Sequence, residues 1–216
     1  MRLKPIIPSV FNFDPQLIKG ELGKMLVASE VTMVHFDNLV DLDNFKELLE
    51  KHHSIADIHI TGNNPIEELS RVIKMNVSFP LRVLMHIESE ADIQDFISLA
   101  KNNKISPGLA IKLKTPVPDI QKYQDFDYFS LICNDENLEI KTFQDEVFEK
   151  IENLHNQLKD KKNTITLDCG VKEEHILPSL EKGVANLVMG SAIFKSANPL
   201  ETVMKFNSIA NSVSLQ

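Results

Sequence analysis

Positive charge is in short supply in this chain. Across 216 residues, 23 lysines and arginines stand against 31 aspartates and glutamates, a net charge of -8. That balance excludes a general binder of the nucleic-acid backbone, which requires basic surface, whereas an anionic small substrate needs only local positive potential. Cysteine is nearly absent. Cys133 and Cys169 sit beside apolar strand-like runs without CxxC or zinc-ligand spacing, which excludes those motifs and suggests a reducing compartment. No apolar run approaches membrane-spanning length, and the short apolar stretch at the N-terminus is interrupted by Pro5 and Pro8, unlike a signal peptide. A soluble, cytoplasmic protein with no membrane partner is therefore expected. Linkers and low-complexity segments are missing too, so residues 1–216 are expected to form one domain, a size that α/β barrels fill without splitting.

What is present is a strict alternation. Short apolar runs bounded by turn signals occur at Lys4–Val10, Val31–Asp37, Ala56–Ile60, Leu81–His86, Gly108–Ile111, Tyr128–Cys133, Thr164–Asp168 and Ala185–Met189. Between them lie stripes with helical spacing, such as Ile18, Leu22, Met25 and Leu26, or Phe143, Val147, Ile151, Leu154 and Leu158. Weaker helical candidates begin near Leu42, Pro118, Lys172 and Pro199. Eight repeats of strand and helix predict a parallel sheet closed as a single (βα)8 TIM barrel.

In that fold the chemistry gathers at the C-terminal ends of the strands. Those ends carry Ser9, His35 with Asp37, His59, His86, Lys112, Cys133, Asp168, and Gly190 with Ser191. His35 and Asp37 are two apart on one strand and share a face. If that face is the interior, His35, Asp37, His59 and Asp168 meet as candidate ligands for a divalent transition ion such as Zn, Fe, Mn or Co. Strand histidines are also commonly hydrogen-bonded core residues. Asp168 could cap the next helix, and Gly190-Ser191 could be a turn. The alternative is that Asp168 exchanges protons while the small residues Gly170, Gly190 and Ser191 admit a phosphate to backbone N–H groups.

Ile7-Pro8-Ser9, His35-Phe36-Asp37, Asp57-Ile58-His59 with Asn64-Pro65, His86-Ile87-Glu88, Gly108-Leu109-Ala110 with Thr115-Pro116, Leu167-Asp168-Cys169-Gly170-Val171 and Gly190-Ser191-Ala192-Ile193-Phe194 occur in this order. On these segments the sequence resembles the ribulose-phosphate 3-epimerase family. The resemblance implies a ribulose-phosphate-binding barrel in which His35, Asp37, His59 and Asp168 hold the metal and Asp37 and Asp168 also exchange protons. It implies substrate contacts from Ser9, and phosphate contacts from Gly170, Gly190 and Ser191. The expected activity is a ketose-phosphate 3-epimerase working through an enediolate, with a phosphorylated ketose as partner and a homo-oligomer as the assembly. Several segments depart from the family pattern. Asn38-Leu39-Val40-Asp41 replaces a Met-Asp-Gly segment, Thr61 a methionine, and Cys169 a glycine. The glycine-rich lid becomes the glycine-free, acidic Asn134–Thr142. The alternative to an epimerase is thus a non-catalytic sugar-phosphate-binding or interaction protein on the same barrel.

Overall fold

The computed structural model describes residues 4–62, 64–133, 143–158 and 163–213. The acidic segment Asn134–Thr142, expected above as an altered lid, lies outside the described residues. Eight parallel strands form one sheet: β1 (Ile6–Pro8), β2 (Met33–Phe36), β3 (Ile55–Ile60), β4 (Leu81–His86), β5 (Ser106–Lys112), β6 (Tyr128–Ile132), β7 (Thr164–Asp168) and β8 (Asn186–Met189). Their order is β1-β8-β7-β6-β5-β4-β3-β2. The two ends of that order meet through a parallel bridge between Ser9 and His35 and a hydrogen bond from Val10 N–H to His35 C=O at 3.3 Å. The result is a (βα)8 barrel. Because the seam lies at Ser9 and His35, barrel closure itself sets two expected site residues side by side.

The helices are α1 (Pro15–Val27), α2 (Leu39–His52), α3 (Pro65–Lys74), α4 (Ile93–Asn102), α5 (Val147–Leu158), α6 (Glu173–Glu181), a single turn α7 (Ser191–Phe194) and α8 (Pro199–Val213). Their starts follow local chemistry. Asp14, Asn64 and Asp92 accept hydrogen bonds from N–H groups of the first turns of α1, α3 and α4, satisfying donors that no helical carbonyl can reach. After β5 the expected helix near Pro118 reduces to a 3-10 turn at Ile120–Tyr123. Pro116 and Pro118 lack the N–H groups that a longer helix would use. Likewise, α5 begins at Val147 and leaves Phe143 outside it, stacked on His175 with ring centroids 3.6 Å apart.

Alternation along each strand divides the side chains into two sets. One set joins the helices in the main apolar core, including Val34, Phe36, Ile58, Val83, Leu131 and Leu167. The other fills the barrel, where two small apolar clusters, Ile7-Met33-Val188 and Leu84-Ala110-Tyr128-Ile132, accompany buried polar residues: Ser9, His35, Asp57, His59, Arg82, Ser130, Thr166 and Asp168. Burying that many polar groups is costly unless they are paired. Their pairing shapes the site.

Cys133 and Cys169 follow β6 and β7, which are neighbours, and are joined as a disulfide with Cα atoms 4.5 Å apart. They lie in the outer apolar layer. The pairing removes the support that a low, unpatterned cysteine count lent to a reducing compartment, since persistent disulfides belong mostly to oxidising ones.

Candidate metal centre and barrel mouth

His35 and His59 face into the barrel from β2 and β3, and Asp168 faces it from β7. One donor atom from each lies within 4.8 Å of the others. His35 Nε2 is 3.6 Å and His59 Nε2 3.7 Å from Asp168 Oδ2, and Asp37 Oδ2 is 3.8 Å from His35 Nε2. These gaps exceed hydrogen-bond length, which is about 2.7–3.2 Å for nitrogen and oxygen. Donors bonded at about 2.0–2.2 Å around one tetrahedral ion stand roughly 3.4 Å apart, close to what the chain shows. His35 Nε2 is buried and makes no hydrogen bond among the described residues, a costly arrangement for a polar atom that an ion would relieve. The donor set therefore fits a divalent transition ion. Asp37 stands at the edge of this group, just past the end of β2. There its Oδ2 accepts a 3.4 Å hydrogen bond from Ser9 Oγ.

Beneath the mouth lies a second layer. Asp57, two residues before His59 and fully buried, has Oδ2 2.9 Å from His35 Nδ1; its Oδ1 accepts from the Tyr128 hydroxyl at 2.8 Å and pairs with Arg82 Nε at 3.2 Å. Arg82 lies over the Tyr128 ring, 3.5 Å from its centroid, and donates to Thr166 Oγ1 at 3.3 Å. Burial pushes the Asp57 carboxyl up, but the Arg82 guanidinium and the contact with His35 outweigh it and hold the acid below the usual carboxylate range. His35 shows the converse balance. Burial lowers its pKa, yet the Asp57 contact and the charges of Asp168 and Asp37 raise it overall. His59 is steadied in a similar way, with its Nδ1 3.2 Å from His86 Nε2.

At the rim, Ser9 and Gly190 touch. A Cβ on Gly190 would stand 3.0 Å from the Ser9 carbonyl oxygen, so a side chain there would press on the Ser9 backbone. Ser191 follows as the first residue of α7. Gly170, two residues past Asp168, adopts a left-handed φ of 63°, a conformation that glycine takes without strain. β7 and β8 are neighbours in register through Leu167↔Leu187, so Gly170 and Gly190 follow the ends of adjacent strands. Thr61, His86, Glu88 and Lys112 line a cleft of about 490 Å³ above β3, β4 and β5. That cleft joins the metal-competent group through His86, whose Nε2 is 3.2 Å from His59 Nδ1.

The strand-face pattern names His35, Asp37, His59 and Asp168, which the structure brings together, but not the layer beneath them. Asp57 offered a signal, because it shares its strand face with His59. Arg82 and Tyr128 sit in mostly apolar strands, and only strand closure shows that they meet Asp57. His52 and His53, at the C-terminal end of α2, take no part.

The model for a family described as "Ribulose-phosphate 3 epimerase family" matches residues 5–194. Among curated proteins there is no significant match. Among solved structures, orotidine 5'-phosphate decarboxylase from Pyrococcus horikoshii OT3 aligns with a TM-score of 0.67 at 11% identity, covering 95% of this chain and 99% of that one. The 3-hexulose-6-phosphate synthase from Salmonella typhimurium aligns with a TM-score of 0.66 at 15% identity, covering 96% and 99%. Thiamine phosphate pyrophosphorylase from Pyrococcus furiosus gives 0.63 at 13% identity, covering 98% and 96%. At such identities these structures speak to the fold alone.

Proposed function

Because the chain belongs to the ribulose-phosphate 3-epimerase family, we propose that it is a metal-dependent ketose-phosphate 3-epimerase. Its substrate is ribulose 5-phosphate, converted to xylulose 5-phosphate, or a close analogue. The observation that carries this reading is the convergence of His35, His59 and Asp168, with Asp37 beside them, inside the mouth of a barrel.

Inversion beside a carbonyl requires one group to take a proton from one face of the carbon and another to deliver a proton to the opposite face. Asp37 and Asp168 suit that division, since they approach from β2 and β7, three places apart around the barrel. Ser9 Oγ orients the Asp37 carboxylate. His35, His59, Asp37 and Asp168 hold the ion. When bound, it supplies positive charge that offsets the negative charge developing as the carbon loses its proton. Gly170, Gly190 and Ser191 receive the phosphate, and Ser9 touches the substrate near the reacting carbon. The protein works as a homo-oligomer.

Metal-replete protein should contain about one divalent transition ion per chain and lose it when His35 and His59 are both replaced by alanine. In D2O it should place deuterium on C3 of ribulose 5-phosphate and form xylulose 5-phosphate. A metallated protein that does neither with any ketose phosphate would overturn the enzyme reading. One observation favours the second reading, a non-catalytic sugar-phosphate-binding protein: Asn38 caps α2 directly after Asp37, so only these two residues connect β2 to α2. Tight sugar-phosphate binding without exchange is its signature.

A further inference from the structure

His35 can offer a lone pair at Nε2 only if its proton sits on Nδ1, and what faces Nδ1 decides this. That partner is Asp57 Oδ2, at 2.9 Å. The other oxygen of Asp57 faces two groups, the Arg82 guanidinium at 3.2 Å and the Tyr128 hydroxyl at 2.8 Å. Arginine can only donate, and Tyr128 donates to the same oxygen. Oδ1 of Asp57 therefore has to accept, and the Arg82 charge beside it keeps the carboxylate ionised, so Oδ2 can only accept from His35 Nδ1–H, which no neutral isostere guarantees. Arg82 is itself fixed between the Tyr128 ring and Thr166, so the carboxylate cannot easily turn.

We propose that Asp57 is a positioning residue for the metal centre: anchored by Arg82 and Tyr128, it fixes His35 as the Nδ1–H tautomer and so presents the Nε2 lone pair to the ion. This rests on the metal reading above. Asp57 does not touch substrate, and its contribution is to the ordering of a ligand.

Asp57→Asn, which keeps the shape, separates this role from a merely structural one. In the variant the amide oxygen stays toward Arg82 and Tyr128, because its NH2 group would meet two donors there. The NH2 group then faces His35 Nδ1, which must accept, and the ring proton moves to Nε2, where it points at the metal position. The expected results are inversion of the His35 tautomer, read by 15N–1H NMR of metal-free protein in alkaline buffer, and a loss of Zn2+ or Co2+ affinity of about 10- to 100-fold by chelator competition. Tyr128→Phe leaves Arg82 in place and should preserve both the tautomer and most of the affinity. If Asp57→Asn does not fold, the wild-type tautomer still decides: a proton on His35 Nε2 in the metal-free native protein overturns the proposal. Unchanged tautomer or metal affinity in folded Asp57→Asn overturns it too. Should the wild-type protein take up neither ion, the metal reading fails separately, while the tautomer measurement still reports whether Asp57 orders His35.

Discussion

At the scale of single residues, the two carboxylates of the mouth are distinguished by their surroundings. Asp168 is buried between two imidazoles, while Asp37 is partly exposed and hydrogen-bonded to Ser9. If each serves one face of the substrate carbon, Asp37→Asn and Asp168→Asn should each reduce epimerisation by about 100-fold or more. Metal content has to be measured in the same samples, because both are also proposed ligands. A fully metallated Asp168→Asn protein with the wild-type rate would remove the two-base assignment. Asp57 also bears on acid stability. Its folded pKa is lowered, so its stabilising contribution is complete above the unfolded value of about 4 and is lost as the pH falls through the folded value. Urea titrations should accordingly show wild-type stability declining below about pH 4, with a smaller decline in Asp57→Asn, which starts from a lower plateau. Gly108 faces the same network. A Cβ there would overlap the Tyr128 ring, which is held at its hydroxyl by Asp57, so Gly108→Ala should destabilise the fold by about 1–3 kcal/mol.

Between elements, two connections stand out near the mouth. Lys150 on α5 donates to the carbonyls of Lys112 at 2.5 Å, Leu113 at 2.8 Å and Thr115. One ammonium thus satisfies three backbone acceptors in the segment where the expected helix after β5 gives way to a short turn. Lys150→Met keeps much of the apolar stem but removes the shared donor, leaving the Lys112 carbonyl only its bond from Thr115 N–H, and faster amide exchange across residues 113–118 is the expected outcome. Equal exchange in the variant would show that the turn holds itself. The second connection is Cys133–Cys169, which ties β6 to β7 one residue beyond Asp168 across 36 positions of sequence. Closing a loop of that length restricts the unfolded chain and typically contributes about 2–4 kcal/mol. Reduction by dithiothreitol should lower the melting temperature, and Cys133→Ser with Cys169→Ser should make melting insensitive to the reductant.

For the whole molecule, the proposed ligands come from β2, β3 and β7, so the complete donor set exists only when the barrel is closed. An ion that binds the native state and not the unfolded chain raises stability by mass action. The melting temperature is therefore expected to rise with added Zn2+ or Co2+ and to fall on chelation. His35→Ala with His59→Ala should abolish that response. A response retained in the double variant would place the ion elsewhere.

The sequence by itself determined the number and order of the strands, because a buried parallel strand must be a short apolar run and a covering helix must carry an apolar stripe; both are local periodicities. It also determined that His35 and Asp37 share a face, since the strand repeat is two residues. β4 and β7 were legible to the residue, while β1 and β2 proved shorter at both ends than their apolar runs. Tertiary structure alone decided which strand ends meet across the barrel. Ser9 reaches Asp37 because the barrel closes between β1 and β2. Cys133 bonds Cys169 because β6 and β7 lie in register. Asp57, Arg82 and Tyr128 form one buried network because β3, β4 and β6 turn the same interior layer toward a common point. No local period encodes such meetings: they depend on the stagger and curvature of the closed sheet, which bring together side chains as far apart in sequence as Asp57 and Tyr128, separated by 71 residues, or Arg82 and Thr166, separated by 84.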